Sequence, residues 1–150
     1  GEARLWRFMD GDRIPLLRAV PGPQAEAFTS EGLRTFETAV FTVTPDSNRM
    51  ACKLDGPAIE TGHGTDMLSD GIVEGSIQIS SNGKPILMMA DHQTTGGYAK
   101  IGTVIRVDLP AMVQARPGDR VAFRFVEPEE GIRSFRKAAR ELERLKERIR

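Results

Sequence analysis

The stretch GSIQISSNGKPILMMAD, Gly75 to Asp91, decides how the fold is read. Two apolar runs, GIVEGSIQIS and KPILMMAD, flank Asn82-Gly83, and both of those residues tolerate a positive φ. The pattern predicts a β-hairpin. With a two-residue loop, Ile79 faces Ile86, Ile77 faces Met88 and Gly75 faces Ala90 on one apolar surface, which lines the interior. The opposite surface then pairs Gln78 with Leu87, Ser76 with Met89 and Glu74 with Asp91. That mixed surface is too apolar for bulk water and too polar for a core, so it belongs under another domain, a protein partner or a ligand. Glu74 opposite Asp91 is repulsive unless a cation, a metal or a proton lies between them. The alternative is that pairing ends earlier or a bulge intervenes, and both carboxylates are solvated.

Working outward, further strand-like runs are separated by turn residues. AVFTVT (Ala39 to Thr44) ends at Pro45-Asp46, and MACKLD (Met50 to Asp55) alternates Met50, Cys52 and Leu54 against Ala51 and Lys53. IGTVIRVDL begins at Ile101, and VAFRFV places Val121, Phe123 and Phe125 on one face after the turn RPGDR. Brief helical turns fit AVPGPQAEAF and PAMVQA, where proline suits a first helical turn. Many short strands with little helix between them predict an all-β barrel or sandwich. Residues 1–16, with a turn at Asp10-Gly11-Asp12, read as a linker or entering strand, and 17–128 as the barrel. In 129–150, Ile132, Phe135, Ala139, Leu142, Leu145 and Ile149 recur at helical spacing, which predicts a C-terminal amphipathic helix. It packs on its own domain or pairs with a partner, and the first is the favoured reading.

Composition bounds the function. The 150 residues carry 21 Lys and Arg against 21 Asp and Glu, so no net field draws nucleic acid or an anionic membrane. The single cysteine, Cys52, excludes an internal disulfide and points to a reducing compartment, hence the cytoplasm. No apolar run is long enough to span a bilayer, and the N-terminus lacks a signal-peptide pattern. Starting at Gly1 and meeting Trp6 and Phe8 early, the chain reads as cut from something longer.

Chemistry concentrates in MADHQTTGGYAKIG, Met89 to Gly102, which a core strand does not need. Gln93 offers a donor and an acceptor together, as amide recognition requires. Gly96-Gly97 makes a turn or lets backbone N–H groups approach an anion. Thr94 and Thr95 cap that turn or bind in it. Tyr98 packs on the surface or donates to a developing oxyanion, and Lys100 is solvated or neutralises a carboxylate or phosphate. His63 and His92 have no histidine or cysteine at ligand spacing, so no metal site is expected, and His63 in GHGTD reads as a loop residue. Phosphate-binding, dinucleotide and nucleophile-elbow motifs are missing. Cys52 on a strand reads as a small buried hydrophobe rather than a nucleophile.

Several motifs occur together in one order: PGPQ (Pro21 to Gln24), SNRM (Ser47 to Met50), GSIQI followed by NGKPILMMAD, QTTGGYAKI (Gln93 to Ile101) and PGD (Pro117 to Asp119). Together they resemble the family of C-type 5-oxoprolinase subunits, also known as KipA or allophanate hydrolase subunit 2, within the biotin-dependent carboxyltransferase family proteins. The resemblance covers residues 17–130, and because members are longer, it is to the C-terminal half. It implies a cyclophilin-like closed β-barrel, to which the terminal helix is suited. It implies a KipI-type partner, the B-type 5-oxoprolinase subunit, together with an A-type protein. The three open 5-oxoproline to glutamate using ATP. Fused equivalents in urea amidolyases move a carboxyl group from carboxybiotin to urea. The family also includes a regulatory antagonist that binds a KipI-type kinase inhibitor. No cofactor is implied as bound by this chain directly.

Carried over by position, the matching residues are Asn48, Arg49, Gln78, Asp91, Gln93, Thr94, Thr95, Gly96, Gly97, Tyr98 and Lys100. The resemblance makes Asp91 a general base or orienter, Gln78 and Gln93 holders of a small amide or lactam, Tyr98 and Lys100 stabilisers of charge, and Arg49 or Lys100 an anion holder. Asn48, Thr94, Thr95, Gly96 and Gly97 complete the binding set. Two departures stand out. His92 and Ala99 replace the arginine and proline of D-R-Q-T-T-G-G-Y-P, and Ala51-Cys52 replaces a Gly-Tyr after SNRM. Losing the arginine removes a fixed planar cation, which His restores only when protonated.

Overall fold

The computed structural model describes residues 5–22, 25–62, 72–91 and 97–149. Strands β1 (Leu5–Met9) and β2 (Asp12–Pro21) form a hairpin, in which Asp10 and Gly11 both take positive φ. After a single 3-10 turn at Ala25–Ala27 comes helix α1 (Ser30–Thr38). Then follow β3 (Val40–Val43), β4 (Ala51–Asp55), β5 (Ser76–Ile79), β6 (Pro85–Met88) and β7 (Ala99–Val104). A short helix α2 (Pro110–Val113), β8 (Arg120–Phe125) and a long helix α3 (Pro128–Ile149) complete the chain.

The strand order is β1-β2-β7-β5-β6-β4-β3-β8, and β8 returns to pair with β2. Seven strands therefore close a barrel with β1 hanging outside it, as the closed β-barrel reading expects. The closing β2–β8 pair is parallel, aligning Leu16 to Ala122 and Ala19 to Phe125, whereas the other pairs are antiparallel. Because β2 begins at Asp12, the hairpin crosses the boundary drawn after residue 16.

The barrel interior follows the alternation of the strands. Leu17, Phe41, Leu54, Ile77, Leu87, Ile101, Val121 and Phe123 are essentially inaccessible and form one core. Helix α1 was not legible in the sequence, where the helical start falls before it. Thr29 caps its first turn, its hydroxyl accepting from the Gly32 N–H at 3.0 Å. Its buried Phe36 stacks on Phe123 with centroids 4.6 Å apart and lies 5.1 Å from Phe125. Arg7 of β1 covers the other end, donating to the Glu37 carbonyl at 2.6 Å and the Thr38 carbonyl at 3.1 Å. Gly32 has no room for a side chain, because a Cβ there would meet the Glu60 carbonyl at 2.1 Å.

The central hairpin forms, but its register differs from the expected one. Ile77 lies opposite Leu87, Gln78 opposite Ile86 and Ile79 opposite Pro85. The loop is three residues, not two. Gly83 at φ 82° donates to the Ser80 carbonyl at 2.9 Å, and the Ser80 N–H then pairs with the Lys84 carbonyl, also at 2.9 Å. A turn followed by a left-handed glycine supplies the extra residue of a bulge. One residue of slip moves every β6 side chain to the other face. Leu87 therefore points into the core, while Ile86 and Met88 join Gln78 and Ser76 outside. The pairing of Glu74 with Asp91 does not arise, and both carboxylates are exposed.

Helix α3 also departs from the favoured reading. It has no buried residue, and Ile132, Phe135, Leu142, Leu145 and Ile149 are all exposed. Only its first turns hold the barrel. Arg18 is buried and donates to Asp108 Oδ2 from both Nε and its backbone N, each at 2.9 Å, and to Oδ1 from Nη2 at 2.7 Å. The same guanidinium donates to Ser134 Oγ at 3.1 Å and lies 3.6 Å from Glu130. The hydrogen bonds to Asp108 hold the Arg18 pKa above its ordinary value. No helix among the described residues is long and apolar enough to cross a membrane.

Candidate functional site

Two neighbouring hollows receive the described residues that the sequence singled out, apart from Lys100, and Asn48 lines both. Its Oδ1 accepts from the Met50 N–H at 2.8 Å and the Ala51 N–H at 3.1 Å, which folds the SNRM segment into a turn leading into β4.

The first hollow, of about 380 Å³, is lined by Asn48, Arg49, Glu74 and Asp91 above an apolar floor that includes Cys52, Met89 and Met112. Arg49 and Asp91 are held together by backbone, the Asp91 N–H donating to the Arg49 carbonyl at 3.3 Å. Cys52 is buried as expected, receives the Ser47 hydroxyl at 3.9 Å, and has its thiol pKa pushed up by that burial. It is a packing residue here.

The second hollow, of about 400 Å³, lies on the outer face of β4, β5 and β6. Asn48, Gln78, Gly97 and Tyr98 line it together with Met50, Ala51, Lys53, Ile72, Ile86 and Met88. Gln78 is only 5% exposed, yet its side-chain amide makes no hydrogen bond to another described residue. Its amide atoms remain open to the hollow, where a ligand can pair with them. It can donate and accept at once, so it matches a planar amide.

A bulge in β7 sets Lys100 opposite Gln78 in the ladder. Ile77 pairs with Gly102 but Gln78 pairs with Lys100, leaving Ile101 as the extra residue. Bulges re-aim side chains beside sites. Gly22 lies against the Lys100 stem, where a Cβ would sit 3.7 Å from Cγ and 3.3 Å from its carbonyl oxygen. Tyr98, just before β7, is 45% exposed at the rim.

The structure therefore gathers Asn48, Gln78, Gly97 and Tyr98 around one hollow, with Lys100 opposite Gln78 across the sheet. It places Arg49 and Asp91 in the neighbouring one. Gln93, Thr94, Thr95 and Gly96, with His63 and His92, lie outside the described residues. Among the described residues, no cluster of His, Cys, Asp and Glu has the makings of a metal site. Sequence reading missed Lys53, Ile86 and Met88 as lining residues. The alternation of MACKLD did separate Lys53 from Cys52 and Leu54, but did not show that β4 would lie beside β6.

With this geometry in hand, likeness to known proteins is informative. Residues 3–125 match the family described as carboxyltransferase domain, subdomain A and B. The C-type 5-oxoprolinase subunit of Haemophilus influenzae is 38% identical over 127 residues, covering 83% of this chain and 41% of that protein. The Escherichia coli K12 protein of the same name is 30% identical over 169 aligned residues, covering 99% of this chain and 54% of that one. The chain thus spans about half the length of the curated relatives it matches. The K. lactis urea amidolyase structure superposes with a TM-score of 0.68 at 21% identity, over 75% of this chain and 7% of that one, and so attests the fold. The chain belongs to the carboxyltransferase domain, subdomain A and B family.

Proposed function

We propose that this chain is part of an amide-processing enzyme, a C-type 5-oxoprolinase subunit, which opens 5-oxoproline to glutamate with B-type and A-type partner proteins in the cytoplasm. The observation that carries this reading is the Gln78 side-chain amide, which makes no hydrogen bond to another described residue and lines a hollow the size of a small ligand. The names of the two bacterial relatives support it.

On this reading Gln78 donates to the lactam carbonyl and accepts from its N–H, fixing the ring plane. Tyr98 and Lys100 stabilise charge that develops on the amide oxygen as the ring opens. Gln93 serves as a second amide contact, and Thr94, Thr95 and Gly96 belong to the binding set. Asp91 acts as base or orienter, and Arg49 as an anion holder beside it. ATP supplies the driving force. The described lining of the Gln78 hollow offers a nucleotide one lysine and no carboxylate for its magnesium, so ATP is assigned to a partner protein.

A second reading is carboxyl transfer to urea or a related amide, favoured by the family's own description. Carboxybiotin would supply the carboxyl group. Its ureido ring is itself a planar amide, and Gln78 and Tyr98 are the residues of this chain suited to hold it.

The test is to mix the purified chain with its B-type and A-type partner proteins and assay ATP-dependent glutamate formation from 5-oxoproline. Glutamate that appears and is lost with Gln78→Leu or Gln93→Ala supports the first reading. A stable complex that makes no glutamate but carboxylates urea from carboxybiotin replaces it with the second. A stable complex with neither activity favours regulation of a KipI-type partner.

A further inference from the structure

The register of the barrel lines up four outward-facing positions in one row across β4, β6, β5 and β7. Lys53 lies opposite Ile86, Ile86 opposite Gln78, and Gln78 opposite Lys100. Strands are spaced about 4.8 Å apart, so Lys53 and Gln78 start about 10 Å apart at their backbones, with Ile86 between them. Both line the same hollow. Lys53 is the one cation among its described lining residues, and it forms no ion pair with another described residue.

Nearby charges do not account for it. Lys84, the other lysine at this end of the sheet, is paired with Asp55 at 3.2 Å and donates to the Gly56 carbonyl. Asp46 and Asp55 line an adjoining hollow that Lys53 also borders, but neither is bridged to Lys53. An ammonium group therefore stands at one end of the hollow, an amide with no hydrogen bond to another described residue at the other, and the Ile86 and Met88 side chains between.

We infer that Lys53 is the specificity-determining residue for the site, anchoring the carboxylate of a small amide whose ring lies over Ile86 and whose amide meets Gln78. This rests on the function proposed above and sharpens it. A compact lactam acid satisfies all three parts of the row, with the anion on Lys53, methylenes on the apolar floor and the amide on Gln78. Neutral urea leaves the lysine without an anion and the apolar floor uncovered.

The deciding experiment uses the chain assembled with its B-type and A-type partner proteins. KM and kcat are measured for 5-oxoproline and for 2-pyrrolidinone, the same lactam without its carboxylate, in the unmodified chain, Lys53→Met, Lys53→Arg and Lys84→Met. Lys53→Met is expected to raise KM for 5-oxoproline by about 10- to 100-fold, with kcat within about threefold. It should also abolish the preference for the acid over the neutral lactam. Lys53→Arg should keep that preference, and Lys84→Met should behave as the unmodified chain. Because Lys53 is exposed, the variant folds, and a matching thermal melt verifies this. If glutamate forms but Lys53→Met leaves KM and the preference unchanged, or lowers kcat alone, the assignment of Lys53 is wrong while the proposed function stands. If the unmodified complex makes no glutamate, the proposed function falls and this inference with it.

Discussion

Gln78 and Lys100 lie directly opposite one another on β5 and β7, immediately after the bulge that leaves Ile101 without a partner. Without that extra residue Gln78 would stand opposite Ile101, a core side chain, instead of Lys100. The bulge therefore does two jobs. It keeps Ile101 in the core and sets Lys100 opposite Gln78 across the sheet.

Gln78→Leu should separate function from stability. The amide makes no hydrogen bond to another described residue, so an apolar side chain of similar volume breaks no such bond. Expected are an unchanged melting temperature and, in the assembled enzyme, at least about a 100-fold loss of kcat/KM. A fall in melting temperature of several degrees would show that Gln78 holds the barrel together instead.

Gly83→Ala should destabilise the hairpin. At φ 82° an added Cβ is strained, and it would meet the Ala58 Cβ at 2.9 Å and the Ile59 N at 3.0 Å. A cost of about 1–3 kcal/mol is expected by urea denaturation. An unaffected midpoint would mean that the loop accepts the two-residue form.

Asp108→Ala should be among the most damaging single changes outside the apolar core. It strands the buried Arg18 guanidinium and its backbone N–H, which together make three hydrogen bonds to that carboxylate. The expected loss is about 3–5 kcal/mol. Paired replacement by Arg18→Met and Asp108→Leu should recover much of it, as measured by the same unfolding curves.

Leu142→Glu combined with Leu145→Glu should cost almost nothing in stability. These residues are 52% and 53% exposed, so the isolated chain should melt within about 0.5 kcal/mol of the parent. A larger loss would place the far half of α3 on the barrel.

Cys52 should resist alkylation at neutral pH and react readily in urea. Burial raises its folded pKa above the unfolded value, so the folded state's advantage is complete below the ordinary thiol pKa. That advantage is lost as the pH rises through the raised value. Labelling followed by mass spectrometry from pH 7 to 10 checks this, and fast labelling of the folded chain at pH 7 would contradict it.

Local pattern was enough for much of this protein. Alternation in MACKLD and VAFRFV gave the inward faces of β4 and β8, the long apolar spacing gave α3, and ordered motifs gave the family resemblance, because each depends on neighbours within a few residues. Gln78 and Tyr98 could be singled out for the same reason. What tertiary structure alone decided were features set by distant partners or by one residue of register. The glycine bulge at Gly83 turned Leu87 inward, since a strand's side chains alternate and a single slip inverts them all. The placement of β4 beside β6 and of β7 beside β5, far apart in sequence, brought Lys53, Ile86, Gln78 and Lys100 into one row. Whether an amphipathic helix buries its stripe depends on whether the barrel offers a complementary surface, and for α3 only its first turns find one.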